Sequence, residues 1–312
     1  MRPEILLVAD SSPWLDQGLT EGYEVHRLSE ADQPEALLAE IAPRIRALVT
    51  SGAKGASNAL IDALPALGLI AVHGVGLDRI DLAHARARGI AVTTTPDVLT
   101  DDVADMALAL VLALSRRIAA NDRHVRAGRW EAGMPVPLGR SATGRRYGII
   151  GLGQIGSAIA KRLRPLAGEI AYHNRRPLPA SNYHYHDSAV GLAEAVDTLI
   201  LAASSKAGEP PIVDQAVLDA LGPDGLFVNI ARGAAVDEEA LVAALRESRI
   251  AGAALDVFAD EPRMTHELWS LDTVVLQPHQ GSATRETRIA MADLLLANLA
   301  AFFAGEALVT PV

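Results

Sequence analysis

The chain has 312 residues, 50% of them hydrophobic, 21% charged, with no cysteine and a formal net charge of −10. That much apolar material supports sizeable cores, and single cores stop growing near ~250–300 residues, so two domains are expected. The composition excludes a disordered or fibrous chain, the missing cysteines exclude disulfides and thiolate chemistry, and the negative surface argues against nucleic acid or anionic lipid as the main partner.

At the N-terminus, Met1-Arg2-Pro3-Glu4-Ile5 lacks the apolar stretch and cleavage site of a signal peptide, and no apolar run approaches the ~18 residues of a bilayer span. A cytoplasmic protein with no membrane partner is therefore expected. Residues 4–9, 46–50 and 69–73 read as buried parallel strands, with helices at 33–43 and 57–64 between them. Residues 101–127 form the longest helical pattern. Asp101 and Asp102 suit its N-terminal end, and its apolar middle from Met106 to Leu114 predicts burial against more than one partner. Residues 128–146, rich in Gly, Pro and Arg, read as an irregular arm. A second alternating series follows: strand 147–150, helix 154–167, strands 169–173, 197–201 and 225–229, helix 237–247, and strands 250–255 and 273–276. A last helix, 285–304, ends near Gly305. The pattern predicts an α/β protein with two Rossmann-like domains, each with a parallel sheet, and an active site in the cleft between them. The substrate domain would comprise residues 1–98 and 286–312, and the dinucleotide domain residues 99–285.

The strand ending Gly148-Ile149-Ile150 leads into Gly151-Leu152-Gly153-Gln154-Ile155-Gly156 and then an amphipathic run. In a dinucleotide fingerprint the first glycine permits the tight turn, the second lets the backbone approach a pyrophosphate, and the third allows close helix–strand packing. The helix then offers free N–H groups to the anion. A plain glycine turn is the simpler alternative, but placement between a strand and a helix favours the fingerprint. The next strand ends about 20 residues on, at His173-Asn174-Arg175-Arg176, with no carboxylate to accept from the ribose hydroxyls. Unless the arginines are only a solvated loop, they suit a 2′-phosphate and point to NADPH, with NADH still possible.

Three polar groups lie just past strand ends: Arg232 in Asn229-Ile230-Ala231-Arg232-Gly233, Glu261 in Asp260-Glu261-Pro262, and His279 in Gln277-Pro278-His279-Gln280-Gly281. Singly, the first two could be a surface ion pair and the third a structural histidine. Together they suffice to reduce a 2-oxoacid. A histidine gives the proton to the developing alkoxide, a carboxylate supports the histidine, and an arginine holds the substrate carboxylate and polarises the carbonyl. No metal or nucleophile is required.

At these residues, and over nearly the whole chain, the sequence resembles the D-isomer-specific 2-hydroxyacid dehydrogenases. The resemblance is carried by His73-Gly74-Val75-Gly76-Leu77-Asp78, by the Gly151–Gly156 loop, by the stretch 229–262, and by Pro278-His279-Gln280-Gly281-Ser282-Ala283-Thr284. It implies catalysis by Arg232, Glu261 and His279. It also implies capture of the substrate carboxylate by the N–H groups of Val75 and Gly76. Asp256 would hold the nicotinamide carboxamide with Gly281 beside it, and Thr100 and the backbone of Ile230 would line the cofactor cleft. The long helix and the arm at 118–147 would form a two-fold homodimer in which Trp130 or Met134 reaches the partner's active site. The Asn174–Arg176 loop and the histidine segment look most like NADPH-dependent glyoxylate/hydroxypyruvate reductases. The segment Ala202–Glu209 departs from the family pattern. The same scaffold acting on another 2-oxoacid or on phosphite, or serving as a non-enzymatic NAD(P)-sensing corepressor, are the alternative readings.

Overall fold

The computed structural model describes residues 2–203 and 208–312. The departure noted at Ala202–Glu209 therefore falls in part, at residues 204–207, outside the described residues. The chain divides into two compact units, residues 1–99 with 283–312, and residues 100–282.

The first unit is a five-stranded parallel sheet made from β1 (Glu4–Leu7), β2 (Glu24–Arg27), β3 (Ala47–Ser51), β4 (Leu69–His73) and β5 (Ala91–Thr93), in the order β2-β1-β3-β4-β5. The three central strands are apolar on both faces because both faces are covered. Leu6, Leu48, Ile70 and Val72 point into one core, and Ile5, Leu7, Ala47, Val49, Leu69 and Ala71 into the other. The second core is closed by Ala292, Leu295 and Leu299 of the C-terminal helix Arg285–Ala304. That helix is long and apolar enough by composition to cross a membrane, although Asp293 and Asn298 interrupt its apolar run. Here its apolar face is packed on the sheet. Gly305, in the left-handed conformation, ends it as the sequence predicts.

The second unit holds a seven-stranded parallel sheet: β6 (Arg146–Ile150), β7 (Glu169–His173), β8 (His184–His186), β9 (Thr198–Leu201), β10 (Leu226–Asn229), β11 (Gly252–Leu255) and β12 (Val274–Leu276), ordered β12-β11-β10-β9-β6-β7-β8. Strand order reverses between β6 and β9, so the loops after β6 and β9 diverge and open a crevice at the carboxyl edge.

The single helix expected at 101–127 is two helices, Thr100–Ser115 and Ile118–Arg126. Arg117 between them is left-handed, with φ of 55°. The break is supported from a distance: the freed Ser115 carbonyl accepts the Arg140 N–H at 2.7 Å, and Gly139 lies against the same turn. The first helix buries Val103, Ala104, Ala107, Leu110, Val111 and Leu114, consistent with its apolar middle. Asp101 and Asp105 of its first turns pair with Arg162 of the helix Gln154–Leu163, at 3.0 and 2.6 Å. The arm from 128 to the start of β6 is irregular, as expected, and Trp130 and Leu138 on it are 68% and 94% exposed.

Candidate active site

The fingerprint loop leaves β6 at Ile150. Gly151 has φ of 97°, and a Cβ there would lie 2.5 Å from the Ala203 nitrogen. Only glycine satisfies both conditions. A Cβ on Gly156 would meet the Gly151 carbonyl, whereas one on Gly153 would face open space. Gly153 is thus the point at which a ligand can come onto the backbone. Gln154 and Ile155 open the following helix, whose first turn directs N–H groups outward.

The carboxyl end of β7 brings Asn174, Arg175 and Arg176 to the wall of a cavity of about 900 Å³ that Gly151 and Gly153 also line. Neither arginine is ion-paired among the described residues, while Glu209 supplies a carboxylate on the same wall. Asn174 does more than line the cavity. Its Oδ1 accepts the Leu152 N–H at 2.7 Å, tying the loop after β7 to the glycine loop after β6. The loop is held at both ends by tyrosines. The Tyr185 hydroxyl donates to the Asn174 carbonyl at 3.2 Å, and the Tyr172 hydroxyl accepts the Leu178 N–H at 2.8 Å.

Arg232, Glu261 and His279 follow β10, β11 and β12, so the parallel sheet delivers all three to the edge that also carries Gly151. The His279 Nδ1–H donates to Glu261 Oε2 at 2.7 Å, and the Phe258 N–H donates to Glu261 Oε1 at 3.0 Å. Burial pushes the Glu261 carboxyl up. The hydrogen bonds from His279 and Phe258, with the charges of His279 and Arg232, outweigh it and hold the group below its ordinary value. Glu261 is therefore an anion that fixes the imidazole by Nδ1 and leaves Nε2 to face a ligand. The Arg232 turn is braced by Asn229, whose Oδ1 accepts the Ala231 N–H and whose amide donates to the Arg232 carbonyl, both at 3.0 Å.

Asp256, 2% exposed, holds the histidine segment in place. Its carboxylate accepts the Gln280 and Gly281 N–H groups at 2.7 and 2.8 Å, and its carbonyl accepts the His279 N–H at 2.8 Å. Burial raises its pKa against the opposing pull of those two N–H bonds. These three contacts stabilise His279 in the left-handed region, at φ of 54°. Thr100 begins its helix, half-buried, and Ile230 is buried just past β10.

In the first unit, the expected carboxylate loop follows β4. Thr95 fixes Gly74 from both sides, accepting its N–H through Oγ1 and donating its own N–H to the Gly74 carbonyl, each at 2.9 Å. Gly52 sits under Gly76, with room for no side chain larger than hydrogen without displacement. Among the described residues the N–H groups of Val75 and Gly76 have no acceptor. Two adjacent free N–H groups on a tight turn make an anion-binding concavity. Beside them His73 keeps a buried, unpartnered Nε2, and burial together with the charge of Arg288 lowers its pKa to about 4.

The supporting residues Asn229, Gly233, Tyr172 and Tyr185 were not singled out from the sequence. A signal was available only for Asn229 and Gly233, which flank Arg232.

Residues 108–281 match the family model for the NAD binding domain of D-isomer specific 2-hydroxyacid dehydrogenases. The chain is 47% identical over 311 residues to the 2-ketogluconate reductase of Gluconobacter oxydans (strain 621H), covering 100% of this chain and 99% of that protein. It is 45% identical over 308 residues to glyoxylate/hydroxypyruvate reductase A of Arabidopsis thaliana, covering 99% and 98%. The NADPH-dependent glyoxylate/hydroxypyruvate reductase of Sinorhizobium meliloti, solved with NADP and malonate, superposes with a TM-score of 0.91 at 41% identity, covering 100% of this chain and 97% of that one. With the fingerprint, the Glu261–His279 pair and these likenesses together, the chain belongs to the D-isomer-specific 2-hydroxyacid dehydrogenase family, as an NAD(P)-dependent 2-oxoacid reductase of the glyoxylate/hydroxypyruvate reductase type.

Proposed function

We propose that this enzyme reduces glyoxylate or hydroxypyruvate to the D-2-hydroxyacid with NADPH as the preferred cofactor and NADH as the weaker one. The observation that carries the chemistry is the 2.7 Å hydrogen bond between His279 Nδ1 and the Glu261 carboxylate. The bound nicotinamide cofactor supplies the hydride. His279 gives its Nε2 proton to the carbonyl oxygen, Glu261 stabilises the positive charge on the imidazole before transfer, and Arg232 binds the substrate carboxylate and polarises the carbonyl. The Val75 and Gly76 N–H groups act as donors for a substrate anion. Gly151, Gly153, Gln154, Ile155 and Gly156 receive the pyrophosphate, and Thr100, Ile230, Asp256 and Gly281 serve the nicotinamide half. Replacing His279 by Ala should lower kcat by ~10²–10⁴; near-normal turnover would remove it from this role.

The cofactor preference rests on Asn174, Arg175 and Arg176 at a strand end without a carboxylate. Arginine binds phosphate in a bidentate fork, so replacing Arg175 and Arg176 by Ala should lower kcat/KM for NADPH by ~10-fold or more and spare NADH. Equal or better efficiency of the wild type with NADH would refute the preference. A second reading, a sugar-acid substrate, is favoured by the identity to the Gluconobacter 2-ketogluconate reductase. Rates with glyoxylate, hydroxypyruvate and 2-ketogluconate, compared on one preparation, decide between them. The exposed apolar side chains of the arm, Trp130, Met134 and Leu138, support a homodimer built on residues 118–147, in which Trp130 or Met134 reaches the partner's site. Sedimentation at micromolar concentration as a monomer would exclude it.

A further inference from the structure

Two apolar stripes in the first unit end in polar groups at the same place. Side chains alternate along β4, so His73 stands on the face of the sheet that carries Leu69 and Ala71. The C-terminal helix covers that face through Ala292, Leu295 and Leu299. Arg288 lies one turn before Ala292 and shares its side of the helix. At the carboxyl end of β4 the apolar contact thus gives way to an imidazole and a guanidinium, close enough for the charge of Arg288 to bear on His73. Neither group is satisfied. The His73 Nε2 is buried without a hydrogen-bond partner. Arg288 is half-buried, and among the described residues it forms no ion pair and donates no side-chain hydrogen bond. Burial lowers its pKa, and no carboxylate opposes that.

We propose that Arg288 and His73 complete an anion site with the N–H groups of Val75 and Gly76, and that its occupant is the carboxylate of the 2-oxoacid substrate. The inference deepens the function proposed above and rests on that reading for the identity of the anion. Val75 and Gly76 follow closely on His73, and their N–H groups have no acceptor among the described residues. Two backbone N–H groups can hold an anion by hydrogen bonds, but they do not neutralise it. A guanidinium does both. Desolvating a cation without a counter-ion destabilises the ligand-free chain, and a bound carboxylate removes that penalty. His73, as its Nε2–H tautomer, adds a donor without adding a second positive charge. Burial and the charge of Arg288 keep it neutral near pH 7. A site of this kind selects for charge, so it prefers glyoxylate to the uncharged methyl ester of the same acid.

The test uses the full-length enzyme, with saturating NADPH for kinetics and saturating NADP for binding. Arg288→Met keeps an apolar stem and removes the charge. It should raise KM for glyoxylate by ~10–100-fold, the range of a charge-assisted hydrogen bond, with a smaller change in kcat. The preference for glyoxylate over methyl glyoxylate should fall by a similar factor. Arg288→Lys restores the charge without the fork and should recover much of both. Oxalate should raise the melting temperature of the wild type and not that of Arg288→Met. Without oxalate, Arg288→Met should melt ~2 °C or more above the wild type, because it no longer buries an unpaired cation. Loss of a merely structural brace would lower the melting temperature instead. His73→Phe should weaken oxalate binding several-fold, and His73→Gln, which returns a donor near the Nε2 position, should recover it. The proposal is overturned if Arg288→Met keeps KM and the oxalate response within about two-fold of the wild type. It is equally overturned if that variant melts several degrees lower with its preference for glyoxylate over the ester unchanged. Absence of turnover with every 2-oxoacid, beside an oxalate response that depends on Arg288, would overturn the reaction proposed above and uphold the anion site, which separates the two results.

Discussion

Gly233 occupies the tightest backbone crossing at the site. A Cβ built on it would lie 1.9 Å from the Phe258 carbonyl carbon, 2.0 Å from its oxygen and 2.3 Å from the Ala259 nitrogen. Carbon atoms in contact sit ~3.5–4.0 Å apart, so Gly233→Ala demands a displacement of roughly 1.5 Å between the Arg232 turn and the Phe258–Ala259 peptide. Neither side can rotate a flexible side chain away, because every clashing atom is main chain. Moving Phe258 moves the N–H that holds Glu261 Oε1, and through Glu261 the orientation of His279. Misplacement of a catalytic group by about 1 Å costs on the order of 10² in rate, and overpacking of a buried site costs about 1–3 kcal/mol of stability. The variant should therefore show kcat for glyoxylate reduced ~10²-fold and a melting temperature lower by roughly 3–10 °C. NADPH binding, followed by nicotinamide fluorescence, should change by no more than a few-fold, because the glycine loop belongs to β6 rather than β10. A variant with kcat within about three-fold of wild type and an unshifted melting temperature would show that the crossing is not rigid, and the coupling argued from it would fail.

Glu261→Gln keeps an oxygen for the Phe258 N–H but removes the anion. It should lower kcat by ~10–10² at pH 7, measured with saturating NADPH, and wild-type turnover would deny the carboxylate its electrostatic role. Gly151→Ala combines positive φ with a clash on Ala203, and should weaken NADPH at least ~10-fold in a fluorescence titration; unchanged affinity would mean that the loop can open without loss. His73 is neutral and half-buried, with its Nε2 buried and its pKa lowered from 6.5 to about 4. The unfolded chain therefore binds the extra proton first, and stability falls as pH drops through the window from 6.5 to about 4. Between pH 7.5 and pH 5 this amounts to about 2 kcal/mol from this residue, and urea unfolding of His73→Asn should lack that part of the slope. An identical slope in both proteins would mean that His73 is solvated in the folded state.

The strands that were read correctly from the sequence, β3, β4, β6 and β7 among them, are buried on both faces, so their apolar character is continuous and local. The short edge strands β2 and β8, Glu-Val-His-Arg and His-Tyr-His, bury little and leave no apolar run to read. The helix Pro13–Gly22 carries a Ser12 cap but little apolar periodicity, because only Leu15 and Leu19 of its ten residues are buried. The break at Arg117 depends on an N–H donated by Arg140, 23 residues away, and nothing within the helical pattern signals it.

The same division runs through the site. Arg232, Glu261 and His279 follow strand ends, and a parallel sheet sends all of its strand ends to one edge, so the three candidates could be grouped before any distance was known. The residues that hold them read for other roles or for none, Asp256 through the resemblance as a holder of the nicotinamide carboxamide. Asp256 lies within a run that reads as the end of an apolar strand. Yet its carboxylate and carbonyl together fix the backbone from His279 to Gly281, and its burial is tolerable only because the turn donates two N–H groups to it. Asn174 reads only as part of the Asn174–Arg176 cofactor loop. Its oxygen is spent on the Leu152 N–H, which makes the loops after β6 and β7 one mechanical element. A position inferred from a motif can thus be right in place and incomplete in role. The missing part is the hydrogen bond that keeps the main chain in a conformation it would otherwise leave, and in this protein those bonds join segments up to 25 residues apart.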